Sequence, residues 1–437
     1  MNYEIKNEPN YAAQIITVPA PHKMPNSDKL YGITVFGITS IVDASWIERE
    51  GQLAVYFPPE VQLAENFVWA NNLFRHGDLN ANPAESGYIE DNRRVRSIKL
   101  RGNVSAGLIL PIQSLTDAGY DVSDLLDGTR FDTIGGVEIC RKYRVKGHVP
   151  GDKNAIKIKR AFKRVDAVMM PEHIETDQWL RNEHDVSDSE MLVITQKLHG
   201  TSGRFARTLV KRRLTWLERA LIKLGVNIKE TEYDTVAGSR KVIKDVNNPE
   251  QKHFYGEGGD VWSQYLPKVS HLIPEGFIIY GEIIGWINEK PIQAGHTYDL
   301  PKGENMLYVY RVATISPEGL LVDLSWDQVV GFCRQRGLKV VPELWRGKKE
   351  NFDLSWFEEK AFADNPYELL QRYPLDQVPH IPVRLSEGGT GKDEGIAIRA
   401  DRGGSVPDLW KFKNPSHYEY ETKQLDSGEE DMESAES

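Results

Sequence analysis

The sequence predicts an α+β protein with two regions, a small barrel of short strands followed by a larger region that mixes strands with helices. Three observations lead to this prediction. Residues 12–150 contain short runs rich in β-branched and aromatic residues, separated by turn signals. Residues beyond 190 combine apolar strand candidates with helical patterns. The chain has 437 residues, of which 40% are hydrophobic and 27% charged, so it is long enough to bury two cores.

The N-terminal region contains four strand candidates, which are residues 30–39, 52–57, 96–101 and 107–111. Pro58 and Pro59 end the second run, because proline cannot donate a hydrogen bond to a neighbouring strand. Gly102 and Asn103 mark the turn between the third and fourth runs. Short strands at this spacing are typical of a small barrel.

The C-terminal region begins with apolar strand candidates at residues 191–194 and 277–280. Ser325 is placed to cap a helix that ends at Gly337, and residues 339–342 form the next strand candidate.

Leucines recur at helical spacing at four positions, 214, 217, 221 and 224, directly after the basic run Lys211-Arg212-Arg213. This pattern predicts an amphipathic helix whose leucine stripe faces the core.

The composition favours a soluble intracellular, cytoplasmic protein. No apolar run approaches the roughly 18–20 residues of a membrane span, and the N-terminus lacks the basic and then apolar pattern of a secretory signal. We therefore expect no membrane partner. Cys140 and Cys333 have no cysteine near them in sequence, which excludes a disulfide framework and a zinc site of paired cysteines.

The charge is unevenly distributed along the chain. The formal net charge is −10, and the residues from Asp426 onward include six acids and no base, which is typical of a disordered acidic tail. Residues 141–164, by contrast, contain ten Lys or Arg residues and one acid. This basic belt is either a solvated linker or an electrostatic contribution to nucleic-acid binding.

Five segments carry the residues on which a chemical function can be built. The first is Lys197-Leu198-His199-Gly200, which directly follows a predicted strand. The other four are strands with polar or aromatic side chains at fixed places, namely Tyr280-Gly281-Glu282, Leu307-Tyr308-Val309-Tyr310, Asp393-Glu394-Gly395 and Leu409-Trp410-Lys411-Phe412-Lys413. In the last segment the two lysines are two residues apart, so on a strand they point to the same face.

In this order, the five segments resemble the collinear motifs of the covalent nucleotidyltransferase superfamily, which contains polynucleotide ligases and mRNA capping enzymes. The resemblance implies ATP and Mg²⁺ or Mn²⁺ as cofactors and makes Lys197 the nucleophile. It also implies that Glu394 coordinates the metal, that Glu282 contacts the ribose and is a second metal candidate, and that Tyr310 stacks on the base.

The same resemblance places His199 and Gly200 in the ATP site. Arg240 resembles the ligase arginine that touches a phosphate, and the alternative is a surface arginine.

The chemistry of the proposed reaction requires these residue types. A lysine amine attacks phosphorus only when it is neutral, and we expect Lys411 and Lys413 to lower its pKa as nearby cations. The same cations would stabilise the charge that develops on the phosphate oxygens. Carboxylates are the ligands that Mg²⁺ prefers.

Two other motifs are assigned simpler roles. The glycine-rich run 388–392 lacks the residues that a Walker A loop needs at both ends, so we interpret it as a flexible turn. His173, His199 and His296 have no zinc-site spacing, which favours hydrogen-bonding roles.

The nucleophile motif indicates the branch of the superfamily. DNA ligases and capping enzymes usually have Asp two residues after the lysine, whereas nick-sealing and RNA-editing RNA ligases have His, as at His199. The chain has 24 residues after Lys413, too few for a following OB domain, and its barrel-like region comes first. This order resembles the Deinococcus-type RNA ligases, with an N-terminal OB-like β-barrel and a C-terminal nucleotidyltransferase domain of the ATP-grasp-like ligase type, with antiparallel sheets and flanking helices.

We therefore expect an OB domain at 1–150, a basic linker at 151–190, a nucleotidyltransferase domain at 191–420 and an acidic tail at 421–437. The expected function is an ATP-dependent RNA ligase that joins 3′-hydroxyl and 5′-phosphate ends. Its expected partner is RNA or an RNA/DNA duplex with a nick or break, with no obligatory protein partner. The alternatives are an ATP-dependent DNA ligase and an inactive OB-containing nucleic-acid-binding protein.

Overall fold

The computed structural model describes residues 3–144, 163–247, 260–356, 383–385 and 391–427. The chain forms two compact units. The first contains Met1–Lys146, Asp177–His184 and Pro415–Glu429, and the second contains Gly147–Thr176, Asp185–Asn414 and Glu430–Ser437. Residues 415–420, which the sequence analysis placed with the nucleotidyltransferase domain, thus belong to the first unit. None of the described helices has both the length and the apolar composition that crossing a membrane requires.

The first unit is built mainly from short strands. Its strands are β1 (Tyr3–Glu4), β2 (Ala13–Thr17), β3 (His22–Lys23), β4 (Leu30–Val35), β5 (Ile38–Asp43), β6 (Leu53–Phe57), β7 (Val61–Leu63), β8 (Ile98–Leu100), β9 (Asn103–Ser105), β10 (Leu108–Pro111), β11 (Arg130–Phe131), β12 (Thr133–Ile134), β13 (Val137–Glu138), β14 (Cys140–Lys142) and β15 (Asp177–Gln178). Its helices are α1 (Glu65–Ala70), α2 (Gln113–Asp117), α3 (Trp179–Asn182) and a C-terminal helix (Pro415–Asp426).

The largest sheet of this unit is antiparallel, with strand order β10-β6-β2-β11. Ile15, Val55 and Phe57 of this sheet are fully buried against Phe67 of α1. The unit contains four smaller sheets as well, and the pairings among the described strands do not close into a ring. The mixed fold with antiparallel sheets is therefore confirmed, and the OB barrel is not.

Residues 30–39 contain the first strand of a hairpin, its turn and the beginning of its second strand, so the prediction of one strand over this stretch is wrong. Phe36 and Gly37 have φ angles of 52° and 74° and form the turn between β4 and β5. Two successive residues with positive φ match the twist of a two-residue hairpin, and glycine takes this conformation without steric cost. The run of β-branched residues conceals the turn, because only Gly37 marks it.

The C-terminal helix is held by ion pairs within the first unit. Asp426, which the sequence analysis assigned to the acidic tail, is the last residue of this helix and accepts hydrogen bonds from Arg94 and Arg96 at 3.1 and 2.5 Å. Arg94 is buried and also pairs with Glu60 at 2.6 Å. Residues 428–437 of the predicted tail lie outside the described residues.

The second unit contains two larger sheets. Its strands are β16 (Met191–Lys197), β17 (Thr201–Lys211), β18 (Thr231–Gly238), β19 (Ile243–Lys244), β20 (Phe277–Ile287), β21 (Lys290–Pro291), β22 (Asn305–Ile315), β23 (Leu321–Asp323), β24 (Lys339–Val340), β25 (Glu343–Lys348), β26 (Gly395–Ala400) and β27 (Asp408–Lys413). Its helices are α4 (Trp216–Lys223), α5 (Val261–Val269), α6 (Trp326–Arg336) and α7 (Leu354–Trp356).

One sheet has the order β25-β16-β26-β27, and the other has the order β19-β18-β17-β20-β22-β23. In the second sheet β21 pairs with β20, and β24 pairs with β22 in parallel. The core packs Phe205, Ile279 and Val309 of the second sheet with Trp262 of α5 and Trp326 of α6. Alternate residues of each strand therefore enter this core, which fixes the register of the strands that carry the five motifs.

Helix α6 begins and ends as the sequence predicts. The Ser325 side chain accepts a hydrogen bond from the Gln328 backbone N–H, and the Gln328 side chain accepts one from the Ser325 N–H. Gly337 ends the helix with a φ angle of 68°, the left-handed conformation that glycine adopts at low cost.

Helix α4 differs from the prediction, because its leucine stripe does not face the core. The helix lies in the connection between β17 and β18, and it contains no buried residue. Thr215 and Glu218 form a complete capping box, which satisfies the first N–H groups. The helical pattern was thus identified correctly, but its burial was not.

The basic belt lies largely outside the described residues, at 145–162. Several of its described members have acidic or aromatic partners within their own unit. Arg164 bonds to Asp234 and Asp245, and Arg144 pairs with Glu8 at 3.3 Å.

Candidate active site

The predicted nucleophile motif lies in a short connection between the two sheets of the second unit. We call residues 197–202 the nucleophile connection. Strand β16 ends at Lys197, and β17 begins at Thr201. Leu198 is buried in the core and fixes the connection. A side chain at Gly200 would place its Cβ 2.2 Å from the Ile283 carbonyl oxygen, so only glycine fits at this crossing.

Lys197 forms an ion pair with Glu394. Its Nζ lies 2.7 Å from Glu394 Oε1, because Lys197 is the register partner of Gly395 at the start of β26. His199 Nδ1 lies 3.6 Å from the other oxygen of Glu394. Burial favours the neutral form of Glu394, but the Lys197 and His199 side chains outweigh burial and hold its pKa well below the ordinary value.

The pKa of Lys197 is raised, whereas the sequence analysis expected the neighbouring lysines to lower it. Burial alone would lower this pKa, but the carboxylates of Glu394 and Glu282 outweigh burial and the opposing charge of Lys413. Lys197 is therefore an ammonium in this arrangement, and it must lose a proton before it can act as a nucleophile.

Glu282 anchors the nucleophile connection. Its Oε1 accepts a hydrogen bond from the Gly200 backbone N–H at 2.9 Å, and its Oε2 accepts one from Ser202 Oγ at 3.3 Å. These bonds connect β20 to the start of β17. The structure thus places the predicted ribose contact directly beside the nucleophile motif.

Lys411 and Lys413 lie on β27, two strands from Lys197. Lys413 pairs in register with Gly395, and Lys411 pairs with Ala397. Burial and the nearby cations Lys197 and Lys413 lower the pKa of Lys411 to about 7. The lysine with the depressed pKa is therefore Lys411 and not Lys197.

We expect the variant Lys411→Arg to change the pH dependence of the reaction with ATP. Wild-type Lys411 loses its charge as the pH rises through about 7, whereas arginine stays protonated. The ratio of kcat/KM for ATP in the variant to that in the wild type should rise several-fold between about pH 6 and 8, because kcat/KM reports the free enzyme. A ratio that does not change with pH would contradict the assignment of Lys411 to the phosphate site.

Residues 293–298 form contacts that hold the nucleophile connection in place. The sequence did not predict these contacts. The hydroxyl of Tyr298 accepts a hydrogen bond from the His199 N–H at 2.7 Å, and Gln293 Nε2 donates to the Gly200 carbonyl at 2.8 Å. The His296 ring packs edge-on against His199, with ring centroids 4.7 Å apart. This segment has no distinct signal in the sequence, because the polar residues of the run from Gln293 to Tyr298 lie between other polar residues on both sides.

Tyr310 and Arg240 form hydrogen bonds with residues of the segment that precedes β16. Tyr310 lies at a bulge between β20 and β22, and its hydroxyl is 2.6 Å from His173 Nδ1. Arg240 Nη2 donates to Glu175 Oε2 at 2.8 Å, and its charge reaches Lys411. His173 thus has a hydrogen-bonding role, as the sequence analysis expected, while the participation of Glu175 gave no signal in the sequence.

Asp393 is a buried carboxyl next to Glu394. Burial raises its pKa to about 6, although Gln196 donates a hydrogen bond to it at 3.3 Å. The folded state therefore retains a proton on Asp393 between its unfolded pKa near 4 and about 6, so this group opposes folding as the pH rises through that window.

We expect Asp393→Asn to stabilise the protein at pH 8, because the amide removes the cost of burying a charge and keeps a partner for Gln196. The gain in the free energy of unfolding should be on the order of 2 kcal/mol. It should disappear near pH 4, where the wild-type carboxyl is protonated. Denaturant unfolding of both proteins at the two pH values measures this, and an equal difference at both would contradict it.

A divalent metal ion fits the donor chemistry of this site. Glu394 is a buried, ionised carboxylate, and hard cations prefer such oxygen ligands. Both oxygens of Glu282 already accept hydrogen bonds from the nucleophile connection. Glu394 is therefore the stronger metal candidate of the two residues that the sequence analysis named.

Comparisons with known proteins agree with this geometry. No curated protein sequence matches the chain. Among solved structures, a mutant of Naegleria gruberi RNA ligase with ATP and Mn is 14% identical, with a TM-score of 0.57, covering 96% of this chain and 99% of that one. A second mutant, in the apo form, is 15% identical with a TM-score of 0.58, covering 95% and 99%. The same ligase with PPi is 12% identical with a TM-score of 0.57, covering 94% and 99%.

At this level of identity the structural matches concern the fold. Residues 190–413, just over half of the chain, match the RNA ligase family, and this range contains all the predicted site residues. The chain therefore belongs to the RNA ligase family.

Proposed function

We propose that this RNA ligase joins a 3′-hydroxyl to a 5′-phosphate with ATP, through an AMP group carried on Lys197. The observation that carries the proposal is the placement of Lys197 against Glu394, with Lys411 and Lys413 on β27, two strands away in the same sheet. Solved neighbours of this fold contain ATP with Mn, AMP with Mn, or PPi.

In the first step, the Lys197 amine attacks the α-phosphorus of ATP. A nitrogen–phosphorus bond forms, the bond between the α-phosphorus and its bridging oxygen breaks, and pyrophosphate leaves. Lys411, Lys413 and Arg240 provide the positive charge that stabilises the phosphate oxygens in the transition state. The positions of these cations are fixed by β27 and by the connection after β18.

Deprotonation of Lys197 is a requirement of this step. Glu394 holds the ammonium form while it is fully ionised, and its depressed pKa makes it a poor proton acceptor. A divalent ion bound to Glu394 would neutralise the charge that stabilises this ammonium and would so favour the neutral amine. The Gly200 N–H and Ser202 hydroxyl keep Glu282 and the nucleophile connection in place.

The second and third steps transfer AMP and close the strand. An oxygen of the 5′-phosphate attacks the phosphorus of lysyl-AMP and releases Lys197, which forms a pyrophosphate-linked AMP cap on the nucleic acid. The 3′-hydroxyl then attacks the 5′-phosphorus, a phosphodiester bond forms, and AMP leaves. Tyr310 is positioned on β22 as a candidate to cover the adenine in the first two steps.

For the substrate, we propose a nicked RNA or RNA/DNA duplex, and we assign its binding to the first unit together with the basic belt. The supporting observations are the strand-rich first unit, most of which precedes the catalytic unit in sequence as in the Deinococcus-type ligases, and the ten basic residues at 141–164. Neutralised phosphates make such binding dependent on salt, with a log–log slope of about −0.9 per contact on B-form duplex.

The proposal is tested by incubating the protein with α-labelled ATP and then with nicked duplexes. We expect covalent labelling that needs a divalent metal, followed by sealing that is faster with RNA than with DNA on the 3′-hydroxyl side. Equal or faster sealing of all-DNA nicks would identify a DNA ligase. Duplex binding without covalent labelling would identify a nucleic-acid-binding protein that has lost the activity.

A further inference from the structure

The segment from Lys211 to Lys229, which we call the tip segment, connects β17 to β18 and contains α4. Its apolar side chains are unusually exposed. Trp216 is 80% exposed, Leu217 is 53% exposed and Leu224 is 79% exposed. Soluble proteins rarely leave large apolar side chains in such a contiguous group, and an exposed group of this kind marks an interaction surface.

The exposed residues lie on one side of the helix. At 100° per residue, Trp216, Ala220, Leu224 and Leu217 fall within an arc of about 100°. Val226, just beyond the helix, extends the apolar surface and is itself 46% exposed. The capping box of Thr215 and Glu218 stabilises the first turn of the helix, which presents this apolar face although it contains no buried residue.

The tip segment is also strongly basic. It contains six Lys or Arg residues and one acid, in a chain whose net charge is −10. Arg219 and Lys223 are exposed on α4 beside the Trp216 edge of the arc. The one acid, Glu218, is on the opposite side and bonds to Thr215 and Arg212.

These properties distinguish between the surfaces that the tip segment could meet. Nucleic-acid interfaces are polar and charged, and of the exposed apolar side chains only Trp216 could stack on a base, whereas Leu217 and Leu224 could not. A second copy of the same patch would bring like charges together. An anionic lipid surface accepts both features, because basic residues are attracted to its headgroups while tryptophan and leucine enter the boundary with the acyl chains.

Contrary to the expectation of no membrane partner from the composition, we infer that the tip segment docks this ligase onto anionic membrane surfaces, with Trp216, Leu217 and Leu224 entering the lipid. The inference is independent of the proposed catalytic function. Docking there would leave the site accessible, because Lys211 is ten residues along β17 from Thr201, or about 33 Å at the rise of a strand.

The test is co-sedimentation of the full-length protein with phosphatidylcholine vesicles that either contain or lack phosphatidylserine. We expect binding to the anionic vesicles only, and weaker binding at high salt. The double variant Leu217→Ser and Leu224→Ser should reduce the partition coefficient about tenfold or more, since both signals are needed for stable attachment. Arg219→Glu with Lys223→Glu should reduce it similarly.

Matched controls separate docking from general stickiness and from catalysis. Leu320→Ser removes another apolar side chain, 71% exposed, from the same unit, and it should leave vesicle binding unchanged. All these variants should form lysyl-AMP at the wild-type rate. Wild-type binding by the leucine variant, or equal binding to neutral vesicles, would overturn the inference. So would a loss of RNA duplex binding without a loss of vesicle binding, which would assign the tip segment to the substrate.

Discussion

Lys197→Ala should abolish the covalent attachment of AMP. The methyl group of alanine cannot form a bond to phosphorus, and Lys197 is the lysine whose Nζ lies 2.7 Å from Glu394. After incubation with labelled ATP and a divalent metal, the variant should carry no acid-stable or base-stable label above background, and nick sealing should be lost with it.

Lys197→Arg distinguishes a nucleophile from a structural cation. Arginine preserves the ion pair with Glu394 but cannot become a neutral amine near physiological pH. We therefore expect a folded protein that binds ATP and forms no adduct. Lys290→Ala, which removes an exposed lysine of the same unit, is the matched control and should label normally. Labelling of either Lys197 variant would place the nucleophile elsewhere.

If the only role of Lys197 is to accept AMP from ATP, both Lys197 variants should still seal a substrate that already carries the AMP cap. Supplying a pre-adenylated nick therefore separates the first step from the last. Failure on this substrate as well would mean that Lys197 also acts in the closing step.

The proximity of the candidate site residues was predictable because they lie on strands in a fixed order. Glu394 directly precedes a strand, and Lys411 and Lys413 alternate on the next one, so the side-chain period of two determines that both lysines share a face. Hydrophobic periodicity likewise identified α6, because its capping residues are local signals.

The contacts of residues 293–298 with the nucleophile connection were not predictable in the same way. Tyr298 is separated from His199 by 99 residues, and their hydrogen bond depends on how the connection between β21 and β22 folds back. Nothing in the local sequence encodes such a contact. Tyr298 also has a φ angle of 55°, a conformation that sequence propensity does not predict for tyrosine.

The leucine stripe of α4 illustrates a different limit. Helical periodicity shows which side chains share a face, but it does not show what covers that face. The stripe lies in the connection between β17 and β18, and none of its leucines is buried. The same pattern would predict a core helix in a different position, so the distinction required the three-dimensional structure.

The charge of Glu394 influences the reaction of Lys197 in two opposing ways, and the variant Glu394→Gln tests both. The carboxylate raises the pKa of Lys197, which holds the amine in its unreactive protonated form. It is also the strongest candidate to hold the divalent metal. Glutamine keeps the size and one oxygen of the side chain, but it removes the charge.

We expect Glu394→Gln to slow lysyl-AMP formation by about 10²–10³-fold, the scale of a lost electrostatic contribution to the transition state. In the metal-free protein, the pKa of Lys197 should move downward in this variant, because the ammonium loses its principal stabilising partner. A slower rate with metal together with this lower pKa without metal is the diagnostic result. A structural role alone would lower the amount of folded protein and leave the pKa of Lys197 in place.

Asp393→Asn is the matched control, since it removes a charge from the adjacent residue, whose carboxyl has no ion-pair partner among the described residues. Its rate of lysyl-AMP formation should stay within a few-fold of the wild-type rate.

Glu394→Asp completes the comparison, because it preserves the charge on a side chain one methylene shorter. If the metal role is correct, its rate should lie between those of wild type and Glu394→Gln, and added Mn²⁺ should restore Glu394→Asp more than Glu394→Gln. Equal rates for the two Glu394 variants at every metal concentration would show that the position of the carboxylate, and not its charge, determines the reaction.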